Sequence, residues 1–496
     1  MSDAEVAKAL RSDLGLVVVQ APGGCGKTYQ GAAYAQWLCP RIAPARLLIL
    51  AHTHAACDEF AKRTRAFAAR VEVRTIDSLT AEVASAYPPA AGTESLDFEG
   101  AARWAARILS QAPFVAATLA RRYPVIICDE HQDASPDQHA VIMALHGAGS
   151  KVRIFGDPMQ LIYPGGGDKG LKADLARWET LLASADARPE LDEPHRWKKT
   201  NPELGGWILE ARAALQAGHP LRLGQRRVRG LSVIVCENQA RRSLGLQLDP
   251  ETRAPVTRML NDKAPLLVLS PHKDTGRAIR AASGRRLPIW EGHARSALPT
   301  LTVALAKAAN AGQVAEAAIT FCQEICTGFS DGAFANRFRD ELCTGCAQSA
   351  RGKFVALQAM ARAVLEAPDH RGVGQMLRLL QAARKSDPGF AGVHIDYPTE
   401  FWEAARLADH EDLQAAIDHQ IAHRRALRRM PPPRAISTVH KAKGLEARRV
   451  LVMPCEDKTF KAKDARLLYV ALSRATESLT LVVSAEKPSP WIDLRS

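Results

Sequence analysis

The feature that most constrains the fold is residues 17–28, which read V-V-V-Q-A-P-G-G-C-G-K-T. The β-branched run predicts a buried strand, and a glycine-rich turn then leads into G-K-T at the start of a helix. Strand, glycine-rich turn and helix in this order are typical of a phosphate-binding loop. Backbone N–H groups of Gly23, Gly24 and Gly26 can surround an anion, because glycine allows the close approach that this requires.

The side chains at the end of this loop fit the same chemistry. Lys27 can reach the β- and γ-phosphates of a nucleotide, and the Thr28 hydroxyl can ligate Mg²⁺. Cys25 lies within the loop and is expected among its nucleotide contacts. Ala21 occupies the position of the first glycine in the G-x-x-x-x-G-K-[ST] pattern. A glycine-rich turn without a ligand is the alternative, and the strand before G-K-T favours phosphate binding.

Two further polar groups follow predicted buried strands. Asp129 and Glu130 come after the apolar residues 124–128, and Gln160 follows residues 152–155. In a site that hydrolyses a nucleotide, Asp129 would hold Mg²⁺ and Glu130 would act as general base. Gln160 would sense the γ-phosphate or orient the attacking water. A solvated loop is the alternative for an acidic pair, and the phosphate-binding loop upstream favours catalysis.

Short apolar runs alternate with helical segments in the first third of the chain, which predicts a parallel α/β sheet. Polar residues at the carboxyl ends of such strands are where ligands bind. Residues 80–122 are rich in Ala and Arg and interrupt the alternation, so we expect a small helical insertion there. The strands are expected at residues 17–19, 46–51, 71–75, 124–128 and 152–155.

Composition indicates a globular chain with an anionic partner. The 496 residues are 47% hydrophobic and carry a formal net charge of +13, and this length suggests about two to four domains. The charge makes nucleic acid the first expectation for a partner, with a solvated basic surface as the alternative. The first 14 residues lack an apolar core segment, and no run approaches a membrane span. We therefore expect a cytoplasmic protein, without a membrane partner, whose ten cysteines are reduced.

The order of these motifs resembles the superfamily 1 helicases of the UvrD/PcrA/Rep type. The C-terminal half agrees, because I-S-T-V-H-K-A-K-G-L-E is similar to motif V and R-L-L-Y-V-A-L-S-R-A-T to motif VI. The resemblance covers about residues 15–200, 230–290 and 434–484. The segments similar to motifs Ia, Ib, II, III, IV, V and VI are residues 51–56, 75–79, 129–133, 156–163, 191–196, 436–446 and 466–476.

The resemblance implies an α/β fold with two RecA-like parallel-sheet cores, each interrupted by a helical insertion. The first core would comprise residues 1–79 and 123–195, with the small insertion at 80–122. The second core would comprise residues 196–289 and 431–496, with a larger helical accessory insertion at 290–430.

The resemblance also implies that the two cores clamp one ATP with Mg²⁺. Arg196 and Arg474 would contact the γ-phosphate, because a guanidinium stays charged and binds phosphate oxygens through a planar fork. Glu446 would contact the ribose. The residues assigned to ATP are Lys27, Thr28, Asp129, Glu130 and Gln160 in the first core, and Arg196, Arg474, Gly444 and Glu446 in the second.

The expected base pocket departs from the family pattern. Tyr29 stands where the family usually has an arginine after the phosphate loop, and His195 stands where it usually has a tyrosine before the motif IV arginine. The two side chains could still hold a purine between them by stacking. GTP and dATP therefore remain alternatives to ATP.

For nucleic acid, the resemblance implies a single-strand groove built from motifs Ia, Ib, III and V, with 3′→5′ polarity. Tyr163 could stack on a base, which is worth roughly 1–3 kcal/mol, or could be a core tyrosine. By position, the expected contacts are Thr53, His54, Ser78, Tyr163, Thr438 and His440.

The expected function is an ATP-dependent 3′→5′ DNA helicase or single-stranded DNA translocase. One alternative is an ATPase switch that senses nucleic acid and regulates a partner nuclease, which the short insertion at 80–122 favours. Compact helicases of this type occur beside a nuclease in anti-phage systems such as Gabija, so a DNA repair or defence complex is a further expectation. An unrelated phosphate-loop NTPase, such as a kinase, is the third reading.

Two remaining segments have weaker signals. The cysteines in C-x-x-x-C and C-x-x-C spacing could ligate zinc or an iron–sulfur cluster, but residues 317–326 look helical, and cysteines four apart on a helix are often core residues. Residues 394–397, H-I-D-Y, are interpreted as a loop rather than a nuclease motif. The four cysteines are Cys322, Cys326, Cys343 and Cys346.

Overall fold

A computed structural model describes most of the chain, and its residues form two compact units. Unit one comprises Met1–Ile234, Gly444–Val483 and Lys487–Ser496, and unit two comprises Val235–Lys443 and Ser484–Glu486. The expected insertions at 80–122 and 290–430 lie partly outside the described residues. The described residues are 3–89, 98–163, 165–224, 227–237, 241–242, 245–246, 249–292, 296–426 and 431–495.

Unit one contains a five-stranded parallel sheet in the order β1-β5-β4-β2-β3, and each of its strands overlaps one predicted from sequence. The strands are β1 Leu16–Gln20, β2 Leu47–Ala51, β3 Val71–Thr75, β4 Val125–Cys128 and β5 Lys151–Gly156. The helices in the same part of the chain are α1 Asp3–Arg11, α2 Lys27–Leu38, α3 His54–Arg63, α4 Ile76–Ala86, α5 Phe98–Gln111, α6 Pro113–Arg122, α7 Pro136–Gly147, α8 Gly167–Ser184 and α9 Pro202–Gln216.

Apolar side chains cover both faces of this sheet, which explains why its strands read as continuous apolar runs. Along β1, Val17 and Val19 pack into a core with Leu10 and Phe60, on the side of α1, α2 and α3. Leu16 and Val18 pack into a second core with residues of α4 to α8. The helices α5 and α6 belong to this second core, so the described part of the expected small insertion packs directly on the sheet.

A second five-stranded sheet completes the α/β fold, as two RecA-like cores require. In unit two β10 pairs with β13, and in unit one β14 pairs with β15, both in parallel. The remaining strands are β6 Leu221–Arg222, β7 Leu231–Cys236, β8 Arg241–Arg242, β9 Gly245–Leu246, β10 Leu266–Ser270, β11 Cys326–Thr327, β12 His394–Ile395, β13 Arg434–Thr438, β14 Ala447–Cys455, β15 Ala475–Ser484 and β16 Ile492–Asp493.

Unit two is otherwise helical, as expected for residues 290–430, around one apolar core. One helix of this unit ends at Lys307, and the Asn310 side chain accepts the Gln313 N–H at 3.0 Å at the start of the next helix. The remaining helices are α10 Pro250–Asn261, α11 Lys273–Ala282, α12 Ala297–Lys307, α13 Ala311–Ile325, α14 Asn336–Cys343, α15 Lys353–Glu366, α16 His370–Ser386, α17 Pro398–Ala405, α18 Leu413–Ala426 and, in unit one, α19 Ala465–Leu472.

Of two sequence interpretations in unit two, one changes. Residues 394 and 395 form the short strand β12, which pairs antiparallel with β11, rather than a loop. The four spaced cysteines do not come together as a cluster of three or more candidate metal ligands among the described residues. Cys322, Cys326 and Cys346 are buried and Cys343 is exposed, so the core reading fits three of them.

Across the described residues, no helix combines the length and the apolar character that a membrane span needs.

Candidate nucleotide-binding site

The phosphate-binding loop joins β1 to α2 in unit one. Gly24 and Gly26 have φ of +88° and +89°, a backbone region that favours glycine. Gly26 occupies the N-cap of α2, and no side chain caps this helix start. The first N–H groups of α2 therefore point toward the loop, which is the geometry of an anion site at a helix N-terminus.

Close packing explains why the loop needs its glycines. A Cβ atom on Gly24 would lie 2.6 Å from the ring of Trp197, and one on Gly23 would lie 3.1 Å from Gln160 Nε2. The loop is thus pressed between residues that follow β5 and a tryptophan that the sequence analysis did not single out.

Lys27 forms an ion pair with the acidic segment that follows β4. Its Nζ lies 2.7 Å from Glu130 Oε1, and the lysine is 8% exposed. Burial opposes the charged form of Lys27, but the carboxylates of Glu130, Asp129 and Asp157 outweigh burial and raise its pKa. The lysine is therefore held as a cation beside the loop.

The acidic pair has the character of a divalent cation site. Asp129 is buried, and burial together with the neighbouring Glu130 raises its pKa, which is the signature of two carboxylates without enough positive charge. Glu130 has φ of +52° and accepts a 2.7 Å hydrogen bond from Gln132 Nε2. The carboxylates of Asp129 and Glu130 and the hydroxyl of the half-exposed Thr28 are hard oxygen donors of the kind that Mg²⁺ prefers.

A buried hydrogen-bond network centred on Asp157 contacts the phosphate-binding loop and stabilises it. Asp157 is 0% exposed and accepts hydrogen bonds from Gln160 Nε2 at 3.0 Å, Tyr469 Oη at 3.1 Å and Arg212 Nη2 at 2.9 Å. The Tyr469 hydroxyl also accepts the Gly23 N–H at 2.8 Å. The network connects β5, α9 and α19 to the phosphate loop.

Arg196 joins the loop to the segments similar to motifs V and VI. Its backbone N–H donates to Gly24 O at 3.0 Å. Its guanidinium lies 2.7 Å from Glu446 Oε1 and donates to Ser473 O at 2.6 Å. Arg196 therefore has to exchange protein partners if it is to bind a phosphate.

Arg474 is 1% exposed, so it is not a charge on a helix surface. It donates to Val470 O at 2.9 Å, Leu445 O at 3.2 Å and Ser473 Oγ at 2.7 Å. Burial, and then Arg196, lower its pKa to about 10, against the pull of Glu446 and Glu130. The expected finger arginines thus lie within each other's field.

The two residues expected in the base pocket have different surroundings. His195 lies against the loop, 3.1 Å from where a Cβ on Gly26 would be, and its Nε2 lies 2.6 Å from Asp3 Oδ2. Tyr29 is 59% exposed, and Gly444 has φ of +84°.

Asp3, Glu193 and His195 form the one group of three candidate metal ligands found among the described residues.

Three of the expected nucleic-acid contacts of unit one, Thr53, His54 and Ser78, follow strands away from β1, whereas Tyr163 follows β5 as Gln160 does. Thr53 and Ser78 follow the neighbouring strands β2 and β3, whereas the nucleotide residues follow β1, β5 and β4. Thr53 caps α3, where its hydroxyl accepts the Ala56 N–H, and Thr53, His54 and Ser78 are exposed. Tyr163 is 53% exposed, so it is not a core residue.

The other two expected contacts belong to unit two. Thr438 ends β13, its hydroxyl accepts the Lys441 N–H at 3.3 Å, and both Thr438 and His440 are half-buried.

Sequence reasoning missed Asp157, Arg212, Tyr469 and Trp197. Arg212 had a signal, because it shares the apolar face of α9 with Ile208 and Leu215, where a charge is unusual. Tyr469 lies within a run of apolar residues in α19 that gives no hint of its polar partners.

These elements define a P-loop NTPase site at the carboxyl edge of a parallel α/β sheet. Residues 4–166 match the family model of an AAA domain, and residues 434–482 match the UvrD-like helicase C-terminal domain. Comparison with curated proteins gives no significant match. The two domain matches support the similarity to UvrD-like superfamily 1 helicases, and they indicate an ATPase of the helicase class that uses a nucleotide.

Proposed function

We propose that the protein is an ATP-dependent single-stranded DNA translocase and 3′→5′ DNA helicase. The observation that carries the proposal is Arg196, which bonds to the phosphate loop through Gly24 and to the motif V and VI segments through Glu446 and Ser473. An arginine so connected can report the γ-phosphate to several helicase motifs at once. Polarity rests on the resemblance to the UvrD/PcrA/Rep type.

In the proposed reaction the phosphate loop and Lys27 bind the β- and γ-phosphates. Lys27 exchanges its ion pair with Glu130 for phosphate oxygens, which frees the Glu130 carboxylate to accept a proton from the attacking water. Thr28 and Asp129 would hold Mg²⁺, which neutralises charge on the phosphates. Gln160, fixed by Asp157, orients the water.

Arg196 and Arg474 stabilise the charge that develops during hydrolysis, a role worth about a thousandfold or more in related enzymes. Each would leave protein partners to do so, Arg196 its Glu446 pair and Arg474 its carbonyl acceptors. This exchange connects hydrolysis to motion of the motif V and VI segments.

A single DNA strand is the proposed track. The net charge of +13 favours a polyanion. Thr53, His54 and Ser78 are exposed after β2 and β3, and Tyr163 offers an exposed ring for base stacking. Thr438 and His440 would contact the strand from unit two. We place this activity in the cytoplasm, in DNA repair or anti-phage defence.

The direct test uses duplexes that carry either a 3′ or a 5′ single-stranded tail, with a fluorophore and quencher at the blunt end. The proposal predicts ATP-dependent separation of the 3′-tailed duplex alone, and none with Lys27→Ala. Lys151→Ala, which alters a surface ion pair with Asp13 in the same unit, is the matched control. Unwinding of the 5′-tailed duplex would contradict the polarity.

A second candidate is an ATPase switch that senses nucleic acid and regulates a partner nuclease. It is favoured by α5 and α6, whose Ile108, Leu109 and Val115 are buried against the five-stranded sheet of unit one, which leaves less of the insertion to bind a duplex. This candidate predicts DNA-stimulated ATPase without separation of either tailed duplex by the isolated chain.

A further inference from the structure

A cluster of arginines in unit two surrounds one buried carboxylate. Asp396 follows β12 and is 1% exposed. Arg280 Nη1 lies 2.5 Å from Asp396 Oδ1, Arg285 Nη1 lies 3.4 Å from the same atom, and Arg277 Nε lies 3.5 Å from Oδ2. The Thr327 hydroxyl donates to Oδ2 at 2.5 Å. We call Arg277, Arg280, Arg285 and Asp396 the arginine cluster.

One carboxylate cannot satisfy three guanidinium groups. Arg277 Nε and Nη2 and Arg280 Nε are buried, and they donate no hydrogen bond to any residue that the structure describes. Buried N–H groups of a cation that lack an acceptor are costly, typically by more than a neutral hydrogen bond is worth. The donors are thus arranged for an acceptor beyond Asp396.

The charge around the arginine cluster is positive. Lys441 Nζ lies 5.4 Å from the centre of the Tyr397 ring, and Arg277 Cζ lies at the same distance from that ring. Asp274 is 96% exposed and lies 3.9 Å from Arg277 Nη1. The buried Glu400 is a further carboxylate whose charge acts on Tyr397. Three arginines and Lys441 therefore lie near two buried carboxylates, Asp396 and Glu400, and one exposed carboxylate, Asp274.

Local backbone geometry supports this arrangement. Arg285 has φ of +60°, which is strained for a residue with a side chain, and it follows Gly284 at φ of +61°. The tight turn after α11 directs Arg285 back toward Asp396. Burial, and then the field of Arg285 and Arg384, lower the pKa of the nearby His394.

We propose that the arginine cluster is a binding site for a phosphate group, and that its occupant is a backbone phosphodiester of the DNA strand. Arg277 and Arg280 supply the unused N–H groups, and Asp396 holds the arginines in place without neutralising them. The guanidinium fork matches phosphate geometry. This inference rests on the proposed single-strand function and adds to it a contact site in unit two, outside the helicase motifs.

The test measures binding of a fluorescent oligothymidylate by anisotropy over a range of salt concentrations. Arg277→Gln is expected to weaken binding several-fold and to reduce the slope of log K against log salt by about 0.7, the value for one lost phosphate contact on a single strand. Arg371→Gln removes an exposed charge that pairs with Asp369 in the same unit, and it is expected to leave the slope unchanged.

Asp396→Asn separates a loss of binding from a loss of folding. It keeps the shape of the side chain and removes its negative charge, so the inference predicts tighter oligothymidylate binding and a steeper salt slope. A lower melting temperature with unchanged or weaker binding would mean that the cluster is only a structural ion-pair network. That result, or equal slopes for Arg277→Gln and Arg371→Gln, would overturn the inference.

A free phosphate is separated from a DNA phosphodiester by a thermal-shift titration with inorganic phosphate. Phosphate could stabilise the wild type but not Arg277→Gln while both bind oligothymidylate equally. That result would mean that the site binds a small anion and not the DNA strand. If the wild type binds oligothymidylate and Arg277→Gln and Arg371→Gln have equal salt slopes, this inference fails while the proposed function stands. If the wild type does not bind it, the proposed function fails as well.

Discussion

The phenol oxygen of Tyr469 lies 2.8 Å from the backbone nitrogen of Gly23, although 446 positions separate the two residues in sequence. The same hydroxyl donates to Asp157, which also holds Gln160 and Arg212. One phenol therefore connects the helix of the motif VI segment to the phosphate loop and to the segment that follows β5. If nucleotide binding moves any one of these elements, these hydrogen bonds transmit the movement to the other two.

Tyr469→Phe keeps the ring and removes this connection. We expect the turnover number of ATP hydrolysis to fall about tenfold, which corresponds to about 1.4 kcal/mol, while KM changes little because Lys27 and the loop backbone remain. Tyr123→Phe is the matched control, since the Tyr123 hydroxyl donates to Glu72 at 2.7 Å outside the site. Equal turnover numbers for the two variants would show that the Tyr469 hydroxyl is merely structural.

Glu130→Gln tests the assignment of the general base. The variant removes the carboxylate that pairs with Lys27, so we expect ATP to bind at least as tightly as in the wild type while hydrolysis falls by roughly a hundredfold or more. Binding of a fluorescent ATP analogue and single-turnover hydrolysis measure the two effects separately. Glu59→Gln, which alters a surface pair with Arg63, should change neither. Near-normal hydrolysis in Glu130→Gln would assign the base to another group.

Asp157→Asn should be among the most destabilising single changes in unit one. It leaves the 8% exposed Arg212 without its buried counter-charge, and breaking such a pair typically costs about 3–5 kcal/mol. Asp168→Asn alters an exposed pair with Lys463, and such pairs are worth about 1 kcal/mol or less. Urea unfolding measures both, and similar losses in the two variants would contradict the central role of Asp157.

Two histidines beside the acidic pair predict acid sensitivity. His131 Nε2 lies 3.0 Å from His139 Nδ1. Burial lowers the pKa of both, that of His139 to about 4, and His139, His52 and Arg177 add to the effect on His131. Protons bind these histidines more readily in the unfolded chain. Their contribution to the free energy of unfolding is therefore fully present above about pH 6.5 and is lost as the pH drops toward 4.

We expect His139→Gln to lose less stability than the wild type between about pH 7 and about pH 5, by on the order of 1 kcal/mol after allowance for partial exposure. Urea unfolding at the two pH values measures this difference. An unchanged pH dependence in His139→Gln would show that the imidazole pair does not control acid stability.

The sequence predicted the parts of the site whose chemistry is local. The phosphate loop could be recognised because strand, glycines and lysine adjoin one another, and Asp129 and Glu130 could be recognised because they end an apolar run. The five strands of the first sheet were predicted for the same reason, since both faces are buried and their apolar runs are continuous. The assigned roles of these residues stay predictions that the variants above test.

The partners of those residues could not be predicted, because they come from distant segments. Arg212 reaches Asp157 across 55 positions, and no local pattern reveals which carboxylate a helical arginine will meet. Arg153 is a similar case, since it is fully buried within β5 and donates to Leu10 O and Ser12 O, so that α1 is tied to the core. The insertion at 80–122 was recognised as helical, but its packing against the sheet required the structure.

The measurement that tests the central claim most directly is ATP hydrolysis by the purified chain with and without single-stranded DNA, for the wild type and Lys27→Ala. The account predicts strong stimulation by DNA that weakens with salt, as phosphate contacts require, and loss of both basal and stimulated activity in Lys27→Ala. Turnover that depends on Lys27 but is indifferent to DNA and to salt would contradict a nucleic-acid motor and favour an unrelated phosphate-loop NTPase.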